Sequence, residues 1–157
     1  MAIMPMSEFD RFLIMFDRLF DFVETYVRKT PEDKYDWKPI EGPGVSFGDR
    51  LDDVTIKSLY VHLTTSEDGF IRSLVEMEDV MEIPIPTNKK LSNKLFKGDF
   101  IALGRELHLE SMARLRELSP EQLSKTVWFQ GCEYRVMGFL WALYGHYAYH
   151  LGNIDTY

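Results

Sequence analysis

Three histidines carry the chemical signal in this chain. His146 and His150 stand four residues apart in the run Gly145-His146-Tyr147-Ala148-Tyr149-His150-Leu151-Gly152-Asn153-Ile154, and His62 lies far upstream in a second helix-like run. Positions i and i+4 share one face of an α-helix, one turn apart, so the two imidazoles can bind one metal ion together. A third imidazole from a neighbouring helix gives three protein ligands and leaves coordination positions for water or substrate, which is the plan of a catalytic metal site. The pattern is not that of the zinc peptidases. There a glutamate general base follows the first histidine, and here Tyr147 takes that place.

Other candidates are weaker. His108, beside Leu107, reads as a surface or boundary histidine. Glu67, five residues after His62, reads as a solvated helix residue. Its alternative role lies behind a ligand, because ligating histidines donate their other N–H to a carboxylate or carbonyl. Asn153, three residues after His150, can face the same pocket, whereas Asp155 points elsewhere. Cys132 has no neighbour in sequence that would lower its pKa and reads as structural. Trp37, Trp128 and Trp141 can flank a pocket, but packing alone accounts for them.

The elements that must position these groups are helical. Phe9, Phe12, Leu13, Phe16, Leu19, Phe20, Val23, Tyr26 and Val27 recur at spacings of three and four and predict a first helix, with Ser7 as N-cap and Asp10 at N3. Thr30-Pro31-Glu32-Asp33 opens a single short turn, Pro39 argues against helix, and 41–48 is a Gly/Pro loop. A second helix is expected from Thr55 to about residue 78, with Ile56, Leu59, Leu63, Phe70, Leu74 and Met77 inward and Tyr60, His62 and Ile71 at the edges. Residues 79–97, with Pro84 and Pro86, read as a long connection. A third helix is expected over 99–118, with Ile101, Leu107, Met112, Leu115 and Leu118 on its apolar side. Strand-forming residues on either side of Gly131-Cys132 predict a small hairpin. A fourth helix over 137–156 carries Phe139, Leu140, Leu143, His146, Tyr147, His150 and Ile154 on one broad face. Four amphipathic helices in one chain of 157 residues predict a single all-α domain, 1–157: a four-helix bundle with a small β-hairpin before the last helix.

Composition narrows the partners. Hydrophobic content of 45% and charged content of 27% are those of a globular protein. A formal net charge of −7 without a Lys/Arg cluster argues against nucleic acid and against anionic membranes. No apolar run reaches the length of a membrane span, and the first residues lack the cationic region of a signal peptide. One cysteine excludes an intramolecular disulfide, which suits a reducing, cytoplasmic setting.

The helix order, the segment Tyr35-Asp36-Trp37-Lys38-Pro39, His62 in helix two, and the ending His146 to Ile154 together resemble the DinB/YfiT-like metal-binding four-helix-bundle superfamily over nearly the whole length. Asn153 stands where glutamine is usual in that ending, and Leu151 where arginine is frequent. The resemblance implies metal ligation by His62, His146 and His150, with nickel or zinc as the ion, and a homodimer. It also implies either hydrolysis or thiol-dependent S-transfer and isomerisation with a low-molecular-weight thiol as cosubstrate. The surplus of tyrosines at Tyr144, Tyr147, Tyr149 and Tyr157 suits a dimer surface. Two further readings stay open: a non-catalytic, metal-stabilised dimeric bundle that binds a small ligand or protein partner, and a metal-free bundle with buried, hydrogen-bonded histidines.

Overall fold

The computed structural model describes residues 5–38, 54–77 and 81–157. The expectations for the first four residues, for Pro39 and the 41–48 loop, and for the helix end at residue 78 lie outside the described residues.

Helix α1 (Glu8–Lys29) starts where Ser7 accepts the Asp10 backbone N–H at 3.0 Å. Acidic residues at its first turn and Arg28 and Lys29 at its last complement the helix dipole. Phe12, Phe16, Phe20, Val23 and Val27 are fully buried, whereas Tyr26 is exposed rather than part of the apolar face. A 3-10 turn, Glu32–Lys34, follows. Helix α2 (Ile56–Val75) opens on a capping box in which Thr55 and Ser58 satisfy each other's backbone N–H groups, worth about 1 kcal/mol. It is the central helix: from Ser58 to Asp68 only His62 is more than marginally exposed. A helix buried this far round must satisfy its polar side chains internally. Thr64 and Thr65 do so by donating to the carbonyls of Tyr60 and Val61. Ile71 is fully buried and Phe70 half-buried, so the inward face is rotated slightly from the expected one.

The segment expected as a plain connection is partly regular. Met81–Glu82 forms strand β1, and Lys89–Lys97 forms helix α3. Asn88 caps α3 through the Leu91 N–H, and Leu95 is buried against the core. Two apolar residues four apart in a Lys-rich run were enough to dock a nine-residue helix. Helix α4 (Phe100–Arg116) begins at Asp99 and stops two residues short of the expected end. Its buried side is Ile101, Gly104, His108, Met112 and Leu115, while Leu107 is only half-buried. Ile101, Met112, Leu115 and Leu118 are buried as expected, and the face departs from the expected one where His108 takes the place of Leu107. Gly104 permits this packing, because a Cβ there would lie 2.4 Å from the Tyr60 ring.

A short helix α5 (Pro120–Ser124) precedes strands β2 (Thr126–Phe129) and β3 (Cys132–Arg135), which pair antiparallel. Gln130 and Gly131 both adopt positive φ, the two-residue turn whose twist matches a hairpin. The hairpin is not alone, because β1 adds to β2 in parallel and makes a three-stranded sheet. Cys132 is exposed on it. Helix α6 (Val136–Thr156) follows directly. The four long helices α1, α2, α4 and α6 form the bundle: α2 packs on α4 and α6, and α1 on α6 and α4. No helix of the described residues is long and apolar enough to cross a membrane.

Two glycines separate packing from propensity. Gly104→Ala is expected to lower stability by about 1–3 kcal/mol through overpacking. Gly145→Ala, in an exposed helical position with no atom within 4 Å of the new methyl, is expected to raise it by about 0.5–1 kcal/mol. Urea unfolding of both variants checks the pair, and equal effects would contradict the close approach of α4 to Tyr60.

Candidate metal centre

The structure brings His62, His146 and His150 together. One ring nitrogen of each lies within 4.8 Å of the others. The Nε2 atoms of His62 and His146 are 3.1 Å apart. The ring centroids stand 5.1 Å apart for His62 and His146, 5.2 Å for His62 and His150, and 4.7 Å for His146 and His150, each pair near-perpendicular. The geometry follows from the helices: α6 supplies two rings one turn apart and α2 supplies the third across the groove. Nitrogens bound to one ion at about 2.0–2.1 Å with tetrahedral angles would lie about 3.3 Å apart, so the donor set fits a small divalent cation.

The outer ring atoms and the burial suit the same chemistry. His150 Nδ1–H donates to Asn153 Oδ1 at 3.1 Å, which turns its Nε2 lone pair inward. His62 Nδ1 lies 3.4 Å from Ser66 Oγ. His146 Nδ1 is buried with no hydrogen-bond partner among the described residues. Burial, with His62 and His150 beside it, holds the His146 pKa down at about 3. Burial also lowers that of His150, against the Asn153 hydrogen bond. Neutral imidazoles are the form that binds metal. Three lone pairs crowded this closely repel unless a proton or cation lies between them.

Behind the triad runs a buried polar chain. The Tyr147 hydroxyl donates to Glu67 Oε2, and Glu67 Oε1 lies 2.8 Å from His108 Nδ1. His108 Nε2 lies 3.1 Å from Asp17 Oδ1. One residue comes from each long helix: Asp17 from α1, Glu67 from α2, His108 from α4 and Tyr147 from α6. Glu67, His108 and Tyr147 are fully buried. The His108 ring stacks on Phe20, with centroids 3.8 Å apart and planes 6° from parallel. Burial opposes protonation of His108, but Glu67 and Asp17 outweigh it and raise its pKa above the ordinary value. Burial, then the Glu67 charge, pushes the Tyr147 pKa well up.

Two expectations are corrected here. His108 is a core residue, not a surface one, because a carboxylate meets each ring nitrogen. Glu67 is sequestered rather than solvated, and both its oxygens are engaged by His108 and Tyr147. The signal for both was the seam spacing: Glu67 falls between Leu63 and Ile71, and His108 between Ile101 and Leu115, at helical intervals. Trp141 donates to Glu8 and packs on Phe12. Asp155 raises the Tyr26 pKa and lines a cavity to which none of the three histidines contributes.

No family model and no curated protein matches the chain. Solved structures share its fold. YfiT from Bacillus subtilis, a probable metal-dependent hydrolase with an unusual four-helix bundle topology, superposes with a TM-score of 0.64 at 17% identity, over 99% of this chain and 91% of that one. The mycothiol-dependent maleylpyruvate isomerase superposes with a TM-score of 0.60 at 18% identity over 96% of this chain. A histidine-to-alanine mutant of an isomerase of that description gives 0.61 at 16%. The chain spans 61% of the isomerase's length. The fold is thus that of YfiT and of the matching part of the isomerase.

The buried chain makes a pH-dependent prediction. The raised His108 pKa means that its ion pairs stabilise fully below about pH 6.5 and are lost as pH rises through the folded-state value. His108→Gln is expected to cost about 3–5 kcal/mol at pH 6 and less at pH 9. Urea unfolding of chelated protein at the two pH values measures the gap, and a gap independent of pH would contradict an imidazolium in the core.

Proposed function

We propose that the chain is a metal-dependent enzyme in which His62, His146 and His150 hold one divalent ion, nickel or zinc. The observation that carries the reading is the convergence of three imidazole nitrogens within 4.8 Å of one another, two of them on neighbouring turns of one helix. Imidazole donors suit both metals. A divalent ion there supplies Lewis acidity, lowering the pKa of a water or a thiol that reaches it.

The chain's own residues do the positioning. Asn153 and Ser66 stand behind His150 and His62. Tyr147 cannot serve as a general base, because its hydroxyl is buried and committed to Glu67. The reaction therefore draws on the metal site and not on a peptidase-type glutamate.

Hydrolysis of a small-molecule substrate is the first reading, supported by the likeness to YfiT over nearly the full length of both chains. S-transfer or isomerisation with a low-molecular-weight thiol is the second, supported by the likeness to the mycothiol-dependent isomerase. A homodimer belongs to the same reading. The exposed face of α6, with Gly138, Ala142, Tyr149 and Gly152, supports it by offering an approach surface to a second copy. The single cysteine supports a reducing, cytoplasmic setting.

Free metal at a hundredfold its Kd is expected to stabilise the chelated protein by about 2.7 kcal/mol. That corresponds to a Tm rise of about 5–10 °C in differential scanning fluorimetry, absent in His146→Ala. The loaded protein is expected to turn over a panel of esters and amides, or to join a low-molecular-weight thiol to an electrophile. Stabilisation without turnover of either kind favours the non-catalytic metal-stabilised bundle.

A further inference from the structure

A cavity near the end of α6 is lined by none of the three histidines. Its volume is about 540 Å³, and it opens where the end of α1, the 3-10 turn, the start of α2 and the end of α6 converge. Ile56 and Ile154 lie on its floor and are 4% and 3% exposed. Trp37 and Tyr157 line it with rings set edge to face, 6.5 Å between centroids and 88° between planes. Trp37 is 45% exposed. Lys29 and Lys34 also line it. Ile154 follows His150 by four residues, so the floor begins about 6 Å along α6 from the triad on the same helix face.

Each feature constrains the occupant. The volume falls within the range of about 300–1,000 Å³ usual for small-molecule sites. A buried aliphatic floor under exposed aromatic rings suits a flat apolar body. Two ammonium groups, Lys29 and Lys34, offer charged donors suited to a carboxylate. Lys34 is held only loosely, 3.9 Å from Asp33. Asp155 is the one acidic side chain lining the cavity among the described residues, so two ammonium groups there meet one carboxylate. A neutral apolar ligand leaves the lysines unused, and a cation is repelled by them.

We propose that this cavity binds small aromatic carboxylic acids, with the ring against Trp37 and Tyr157 and the carboxylate on Lys29 and Lys34. Its catalytic meaning, as the seat for the body of a substrate whose reacting group reaches the triad, rests on the metal-centre reading. Its binding does not.

The test is isothermal titration calorimetry of metal-loaded protein with 3-phenylpropionate and its neutral isostere 3-phenylpropionamide. The acid is expected to bind about tenfold more tightly than the amide. The double variant Lys29→Met/Lys34→Met is expected to bring the two within about twofold, and Trp37→Ala to weaken both by about tenfold. All three positions are exposed, so folding is not at stake, and circular dichroism checks it. His146→Ala, which lacks a triad ligand, is expected to bind the acid as the unaltered protein does. An acid no tighter than the amide, a preference that survives loss of both lysines, or acid binding lost in His146→Ala would each overturn the proposal, the last by placing the ligand on the metal. Acid binding retained in a His146→Ala protein that takes up no metal supports the cavity, whatever the fate of the metal-centre reading.

Discussion

The hydrogen-bonded chain Asp17–His108–Glu67–Tyr147 runs across the interior of the bundle and takes one side chain from each long helix. Apolar seams alone tolerate sliding and rotation, since one aliphatic contact replaces another at similar energy. A buried carboxylate without its donors is far costlier, at several kcal/mol. Glu67 has both donors only when α4 presents His108 and α6 presents Tyr147 at the same depth. The bond from Tyr147 sets the rotation of α6, and that rotation turns the adjacent His146, and His150 one turn on, toward His62. The core network and the triad are two faces of one registration of α2 and α6.

Around this centre the bundle repeats the same solution at lower stakes. Glu24, almost buried on α1, is held by Arg28 and Arg105, each at 2.7 Å. Burial alone would raise its pKa, but the two guanidiniums bring it below the ordinary value. Asp68, almost buried on α2, is held by Arg72 at 2.9 Å and Arg114 at 3.3 Å. Each cluster joins α4 to a neighbour, α1 in one case and α2 in the other. The arginines stay partly exposed, and the cavity at the end of α1 sets Lys29 and Lys34 beside an apolar surface.

Much of this was legible in the residues. The 3.6-residue spacing of Phe12, Phe16, Phe20 and Val23 placed α1, and the spacing of His146 and His150 on the broad face of α6 placed two rings side by side. The hairpin followed from β-branched and aromatic residues around Gly131. The network was not legible, for a definite reason. A histidine and a glutamate on apolar seams are scored as edge residues until their partners are known, and those partners lie 41, 80 and 91 residues away. Reading Leu107 instead of His108 into the seam misplaced one position of α4, while Ile101, Met112 and Leu115 fell inward as expected. Helix α3 and strand β1 were missed because neither is stable in isolation: α3 depends on docking Leu91 and Leu95, and β1 on an edge offered by β2.

The central claim is that registration of α2 and α6 builds a metal site, and metal content tests it most directly. Untagged protein and its His146→Ala variant should be exchanged into metal-free buffer, offered zinc and nickel in turn, freed of unbound ion and measured by inductively coupled plasma mass spectrometry. The account predicts about one equivalent of divalent metal per chain in the unaltered protein and close to none in the variant. No uptake of either metal by the unaltered, folded protein would contradict it and leave the three histidines as packing residues.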